Sequence, residues 1–163
     1  MRKSTSKPPR SLRERALGYL ARREHSAREL QQKLSAFVTE QDDLPALLKD
    51  FEQRGWLSDA RYTEQLVHAR KSRYGSQRVA QELREHGVAD TLINEAVASL
   101  KQDELAYACA ICRKKYAAAP ASREEWAKQA RFLQSRGFGV EVIRQALKQL
   151  ALEQNKDAVR DDE

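Results

Sequence analysis

The chain has 163 residues, a net charge of +6 and 33% charged residues, but only 6 glycines and 4 prolines. This composition favours helices over sheet, because β-branched runs are almost absent. Two cysteines cannot form a disulfide framework, and no apolar run approaches the roughly 18 residues of a membrane span. Since the N-terminus also lacks the apolar core of a secretory signal, we expect a cytoplasmic protein without a membrane segment.

Charge is distributed unevenly along the chain. Residues 1–10 carry four cations and no acid, whereas residues 153–163 carry five acids against two cations. We predict a disordered basic arm over 1–10 and an acidic tail over 153–163. The arm could contact nucleic acid or be only solvated, and the sequence leaves both readings open. The body between the two ends is basic, which favours a polyanion or an acidic protein surface as partner.

Three helices are predicted within a first module, residues 11–57. The first helix extends to about residue 23, and the third begins at Asp42-Asp43, where acids favour a helix start. Ser26 and Glu29 have the spacing of a capping box, in which each side chain bonds the N–H of the other residue. They predict the start of the second helix.

A glycine turn is predicted to end this module. Gly55 suits the left-handed position after a helix, and Ser58 or Asp59 suits the N-cap of the next one. Trp56 and Leu57 lie between these two signals. We expect both side chains to pack into the seam between modules.

Two further modules are predicted, residues 58–101 and 102–152. The second carries helices broken at Tyr74-Gly75-Ser76 and at Gly87. In the third, a short link at 101–103 leads into a helix over 104–116, and a further helix ends near Leu152. Nine helices are therefore expected in all.

A long internal repeat supports this division. The segment Leu83–Leu100 aligns without gaps on Leu133–Leu150. Five core-type residues are identical, namely Leu83, Gly87, Ile93, Ala96 and Leu100 with Leu133, Gly137, Ile143, Ala146 and Leu150. Such a match indicates a repeated helix–turn–helix unit, with Gly87 and Gly137 as turns. We predict an all-α protein of three tandem three-helix, helix-turn-helix-like repeats in an elongated, curved array.

No catalytic or metal site is predicted. Cys109 and Cys112 form a CxxC inside a predicted helix, with no second such pair, so we expect them in the core. The histidines at 25, 68 and 86 have no metal-ligand spacing. Phosphate-binding and nucleophile-elbow motifs are absent from the sequence. We therefore expect a protein that is not an enzyme and has no cofactor.

A basic run in the middle of the chain is the best functional candidate. Residues 61–84 contain six Lys or Arg residues and only two acids. The predicted partner-binding or nucleic-acid-binding residues are Arg61, Arg70, Lys71, Arg73, Tyr74, Arg78 and Arg84. Arginines grip phosphates or carboxylates through charge-assisted hydrogen bonds, and a tyrosine offers a stacking surface. A solvated basic face remains the alternative, and Arg113-Lys114-Lys115 is a weaker second patch.

Four motifs occur in order along the chain: RREHSARELQQKL at 22–34, GWLSDARY at 55–62, YGSQRVAQELREHGV at 74–88 and FLQSRGF at 132–138. Together they resemble the RecX family, the regulators of bacterial RecA recombinase. The resemblance covers residues 11–150. Ser58 stands where the family often has an acid, and Gly139 where it often has a serine, so both departures concern helix caps.

The resemblance implies a curved, elongated monomer that is not an enzyme. It also implies binding in the groove of the RecA–DNA filament, which limits filament extension or promotes disassembly. RecA ATP hydrolysis, strand exchange and coprotease activity would fall as a result, and single- or double-stranded DNA is implied as a direct partner. The basic body alone leaves two alternatives, a stand-alone helical DNA-binding protein and an adaptor without a polyanion site.

Overall fold

The computed structural model describes residues 8–160, which form eight helices and no strand. Residues 1–7 of the predicted arm and 161–163 of the predicted tail lie outside this description. The helices are α1 (Leu12–Leu20), α2 (Ala27–Ser35), α3 (Leu44–Gln53), α4 (Asp59–Arg70), α5 (Ser76–Glu85), α6 (Asp90–Lys115), α7 (Arg123–Ser135) and α8 (Val140–Arg160). The predicted all-α class and helical repeat are confirmed. None of these helices is long and apolar enough to cross a membrane.

The chain divides into two compact units within α4, the first ending at Tyr62 and the second beginning at Thr63. The first unit has a core of apolar side chains from α1, α2 and α3 that includes Leu30, Leu34 and Phe51, all fully buried. In the second unit α6, α7 and α8 surround a core that includes Leu133 and Phe138. Burial of these large apolar side chains supplies the main favourable free energy of each unit.

Three glycines make the same turn after a helix. Gly55, Gly87 and Gly137 have φ values of 72°, 72° and 89°. In each case the glycine N–H bonds the carbonyl three residues back, and the next N–H bonds the carbonyl five residues back. This is the Schellman arrangement, which satisfies the last carbonyls of a helix and needs a left-handed residue. The predicted turns at these three glycines are confirmed.

Two predicted helix ends are wrong. The link at 101–103 is helical, so the sixth and seventh predicted helices are one helix, α6. It contains no glycine or proline, and burial of Leu100 and Glu104 on either side holds it in helical form. The last helix continues past Leu152 through Arg160, because ALEQNKDAVR consists largely of good helix formers.

The prediction that Trp56 packs into a seam is also wrong. Its side chain is 42% exposed, whereas Leu57 is buried in the first unit. The turn at Gly55 places the Trp56 ring edge-on to Phe51, with 5.5 Å between ring centroids. The guanidinium groups of Arg13 and Arg54 lie 5.6 Å and 5.1 Å from the indole centroid. Trp56 therefore lies at the surface, in cation–π contact with two arginines.

Buried or half-buried carboxylates cap the second helix in each of two repeats. The Asp59 carboxylate accepts a 2.8 Å bond from the N–H of Ala27, at the start of α2. In the second unit Glu104, which is 3% exposed, accepts from the N–H and the hydroxyl of Ser76, at 2.8 Å and 2.9 Å. A negative charge at a helix N-terminus is favourable, and each bond satisfies an N–H that has no helical partner.

Removing the buried Glu104 carboxylate is expected to destabilise the second unit. Glu104→Ala leaves two donors of Ser76 unsatisfied, which costs about 2–4 kcal/mol. Glu104→Gln keeps one acceptor oxygen, so we expect a smaller loss. Urea unfolding of both variants measures the effect, and Glu95→Ala, an exposed carboxylate on the same helix, is the control. Equal losses for Glu104→Ala and Glu95→Ala would contradict the capping role.

A charged cluster at the start of α2 includes the predicted capping residues. The Ser26 hydroxyl accepts from the Glu29 N–H at 3.1 Å, while the Glu29 carboxylate binds both terminal nitrogens of Arg23. Buried His25 lies between the Arg23 carbonyl, 3.0 Å from Nδ1, and Lys33 Nζ, 2.9 Å from Nε2. A neutral imidazole satisfies both contacts, with Nδ1 donating to the carbonyl and Nε2 accepting from the ammonium.

The pKa values of Glu29 and His25 are both lowered in the folded protein. Burial alone raises the pKa of Glu29, but the hydrogen bond from Arg23 and the charges around it outweigh burial and hold that pKa at about 2. At His25 burial disfavours the protonated, charged form, so it lowers the pKa of this residue below 6.5. In the unfolded chain both groups therefore take up protons at a higher pH than in the folded protein, so acid destabilises the fold.

We expect the first unit to lose stability in two steps as the pH falls. The first begins near pH 6.5, where unfolded His25 protonates, and the second lies between pH 4.5 and about 2, where Glu29 contributes about 3 kcal/mol. Glu29→Gln should lower stability at neutral pH and make the second step smaller. Part of that step remains, because hydrogen bonds also lower the pKa values of Asp42 and Asp50 in the same unit. Urea unfolding across this pH range is the measurement, with Glu52→Gln, an exposed acid on α3, as control. A wild-type pH profile in Glu29→Gln would refute the assignment.

Candidate polyanion-binding groove

The start of α5 is joined to the end of α7 by backbone hydrogen bonds. The Gly75 N–H donates to the Arg136 carbonyl at 2.8 Å, and the Gln77 N–H to the Gly137 carbonyl at 3.1 Å. Arg78 Nη1 adds a 3.3 Å bond to the carbonyl of Ser135. The positive end of one helix dipole thus faces the negative end of another, and each supplies partners that the other lacks.

Only glycines permit this approach. A Cβ on Gly75 would lie 2.4 Å from the carbonyl oxygen of Gly137. A Cβ on Gly137 would lie 2.3 Å from the Cβ of Arg78, and the positive φ of Gly137 would strain any side chain at this position. The close contact fixes Tyr74, which immediately precedes Gly75, beside Arg136, which immediately precedes Gly137.

Cations and aromatic rings alternate along this junction. The Tyr74 ring lies between two guanidinium groups, with its centroid 4.3 Å from Arg78 and 5.5 Å from Arg136. Arg136 is also 5.3 Å from the Phe132 centroid, and Lys115 Nζ lies 6.0 Å from the same ring. Cation–π attraction to these rings holds the cations in place.

A groove of about 460 Å³, here called the basic groove, opens beside these side chains. It is lined by Ser72, Arg73, Tyr74, Ile111, Lys114, Lys115, Phe132 and Arg136. Arg73 lies in the turn after α4, Lys114 and Lys115 end α6, and Arg136 is the C-cap residue of α7. No carboxylate is among the lining residues. None of the four takes part in the ion pairs found within residues 8–160. Such a groove is suited to phosphates or clustered carboxylates, with aromatic edges for flat groups.

The neighbouring cleft, of about 660 Å³, has mixed charge. Arg70, Arg73, Tyr74 and Arg78 line it together with Glu82 and Glu85. Glu82 binds the Arg70 guanidinium through both oxygens, at 2.9 Å and 3.0 Å. Part of its positive charge is therefore neutralised, which makes this cleft a weaker site for an anion than the basic groove.

The structure brings together only some of the predicted site residues. Arg73 and Tyr74 line both the basic groove and the mixed cleft, and Arg70 and Arg78 line the cleft alone. Lys71 lines neither. Arg84 lines a separate groove near Glu104, and Arg61 belongs to the first unit, where it bonds Glu24 at 2.9 Å.

Six of the eight lining residues are not among the predicted site residues. Phe132 lies on α7 and Arg136 is its C-cap residue, both far in sequence from the central basic run. Lys114 and Lys115 belong to the weaker second patch. The alternation of cations and rings is formed by tertiary contacts, so no local pattern shows it. The available signal was that Arg136 precedes a turn glycine, at a helix end where cations are favoured.

The two cysteines belong to the core. Cys109 and Cys112 are each 1% exposed. Burial raises the pKa of the Cys112 thiol to about 11, and it also raises the pKa of the Cys109 thiol above its usual value. Both thiols are therefore protonated and unreactive near neutral pH. Within residues 8–160 no group of three or more His, Cys, Asp or Glu side chains has the geometry of a metal site.

The fold and its charged surface define a helical-repeat protein with a basic groove between helix ends. Two family models match the chain. Residues 58–97 match the second three-helix domain of RecX, and residues 102–147 match the third. The regulatory protein RecX of Herbaspirillum seropedicae is 45% identical over 91% of this chain and 97% of its own. The regulatory protein RecX of Ralstonia nicotianae is 42% identical over 94% of this chain and 93% of its own length. The chain belongs to the RecX family.

Solved structures are similar as well. The crystal structure of RecX from Lactobacillus salivarius aligns with a TM-score of 0.75, covering 86% of this chain and 95% of that one. A second crystal structure, of a regulatory protein RecX, aligns with a TM-score of 0.71. Identities of 18% and 20% mean that this likeness concerns the fold.

Proposed function

We propose that this protein is a cytoplasmic regulator of RecA recombinase that acts by binding rather than by catalysis. As a monomer it lies along the RecA–DNA filament and limits extension or promotes disassembly. ATP hydrolysis, strand exchange and coprotease activity of RecA fall as a result. The observation that carries the proposal is the basic groove, which is lined by four cations and no carboxylate. The groove belongs to a chain of the RecX family.

The chemistry of the groove fits such a partner. A nucleoprotein filament presents closely spaced phosphates and acidic side chains, and Arg73 and Arg136 offer planar guanidinium groups to either. Tyr74 and Phe132 flank these cations and offer ring edges to bases or apolar side chains. We propose the groove as the contact surface and the glycine junction as the element that keeps it in shape.

A second function is direct binding of DNA without RecA, supported by the same four cations and the basic body of the chain. The two functions differ in their response to salt. Phosphate contacts release counterions, so affinity for DNA alone should fall steeply as salt rises. Contacts that combine protein surface with phosphate should be less sensitive.

Co-sedimentation with RecA filaments and with naked single-stranded DNA, across a salt series, tests the proposal. We expect binding to the filament to survive at a salt concentration that abolishes binding to DNA alone. Binding that is equal for filament and naked DNA at every salt concentration would favour the stand-alone DNA-binding protein. Absence of binding to the filament at any salt concentration would refute the proposal.

A further inference from the structure

A second cluster of cations belongs to the first unit and shares no residue with the basic groove. Arg10, Arg15 and Arg22 line a small pocket of about 140 Å³ with Gly18 and Tyr19. No carboxylate is among the lining residues. None of the three arginines takes part in the ion pairs found within residues 8–160. We propose that this arginine pocket is a phosphate-binding site.

The floor of the pocket is open backbone. An added Cβ on Gly18 would meet no atom within 4 Å, so a ligand can reach the helix surface between the flanking side chains. Arg15 comes three residues before Gly18 and Arg22 four residues after it, spacings close to one helical turn. Arg10 immediately precedes Ser11, the N-cap residue of α1. Three guanidinium groups around a glycine floor can donate to several oxygens of one phosphate.

The side chain of Arg15 is already oriented. Its guanidinium carbon lies 4.0 Å from the centroid of the Phe37 ring, which is 40% exposed. Stacking on a ring reduces the freedom that the arginine would lose on binding, and it leaves the edge of the guanidinium, which carries the N–H donors, directed away from the ring. By contrast, the neighbouring Arg13 is engaged by Asp50 at 2.9 Å and is not part of the pocket.

The ligand is defined by its chemistry, a phosphate group, which either a nucleic-acid backbone or a free phosphate can supply. Tetrahedral oxyanions match converging guanidinium donors, and the small volume admits one such group rather than a base. The inference does not rest on the proposed regulation of RecA. The basic groove can fail as a contact surface while the arginine pocket binds, because the two sites share no residue.

The test uses the full chain and two kinds of variant. Arg15→Gln/Arg22→Gln removes two donors, while Gly18→Leu keeps every charge and fills the floor of the pocket. Both should fold, since Arg22 is exposed and nothing within 4 Å opposes a side chain at 18. Arg28→Gln/Lys49→Gln, two exposed cations of the same unit outside the pocket, is the matched charge control. Circular dichroism melting checks the fold of each.

Fluorescence anisotropy with a labelled single-stranded oligonucleotide, across a salt series, is the first measurement. We expect about tenfold weaker binding for both pocket variants and a salt slope reduced by roughly 0.7, the value for one phosphate contact on a single strand. The control should keep the wild-type slope. Parallel NMR titration with inorganic phosphate follows the Nε–H signals of Arg15 and Arg22.

The outcomes separate the sources of phosphate. Weaker oligonucleotide binding by both pocket variants identifies a nucleic-acid backbone. Saturable shifts with inorganic phosphate, together with unchanged oligonucleotide binding, identify a free phosphate ligand. If Gly18→Leu binds as the wild type does, and inorganic phosphate shifts neither arginine, the pocket is not a phosphate site and the inference is overturned.

Discussion

Replacing Gly137 with alanine is expected to destabilise the second unit by about 3 kcal/mol or more. The residue has a φ of 89°, where a side chain costs roughly 1–2 kcal/mol. The new Cβ would also lie 2.3 Å from the Cβ and 2.6 Å from the backbone nitrogen of Arg78. Relief requires α5 to move away from α7, which adds roughly 1–3 kcal/mol for overpacking. Urea unfolding measures the loss.

Two other glycines separate strain from crowding. Gly55 has a φ of 72° but no atom within 4 Å of an added Cβ, so Gly55→Ala should cost only the roughly 1–2 kcal/mol of strain. Gly75 has an ordinary φ of −78°, so Gly75→Ala should cost only the clash with the Gly137 carbonyl. Equal losses for Gly137→Ala and Gly55→Ala would show that the junction of α5 and α7 is not tightly held.

The second large effect is expected on binding. Arg73→Gln/Lys114→Gln/Arg136→Gln removes one cation from each of the three chain segments that form the basic groove. At roughly 1 kcal/mol for each lost charged contact, we expect about 100-fold weaker binding to RecA filaments. Fluorescence anisotropy of filaments assembled on labelled DNA measures the affinity. A melting curve establishes that the variant is folded.

Two comparisons make this result specific. Arg28→Gln/Lys49→Gln/Lys148→Gln removes the same charge from exposed positions outside the groove and should change affinity by less than about threefold, because screened long-range charge contributes little. Arg136→Lys keeps the charge but loses the planar guanidinium, and we expect an intermediate affinity. If both triple variants bind equally weakly, net charge rather than the groove governs binding.

The repeat and its turns were accessible from sequence because they depend on local physics. Gly87 and Gly137 occupy the same position in the repeated unit, where the turn needs a left-handed residue. Both turns form the same pair of hydrogen bonds. Helix ends without glycine or proline were not accessible in the same way. Burial of Leu100 and Glu104 continues α6 through a polar stretch that sequence alone reads as a link.

The candidate site was accessible only in part. The central run pointed to Arg73 and Tyr74, since their charge and ring are visible in the sequence. Their neighbours in space come from distant parts of the sequence. Lys115 ends α6, and the contact between Gly75 and Gly137 brings Arg136 beside Tyr74. Sequence also could not show that Glu82 neutralises Arg70, because that pairing depends on the angle between α4 and α5.

The most direct test of the groove as the acting surface is single-strand-dependent ATP hydrolysis by RecA, measured with substoichiometric amounts of this protein. We predict that the wild type and the matched triple control inhibit hydrolysis at similar concentrations. The groove triple variant should require about 100-fold more protein for the same inhibition. Inhibition by the groove variant at the wild-type concentration, or no inhibition by the wild type, would contradict the proposed role.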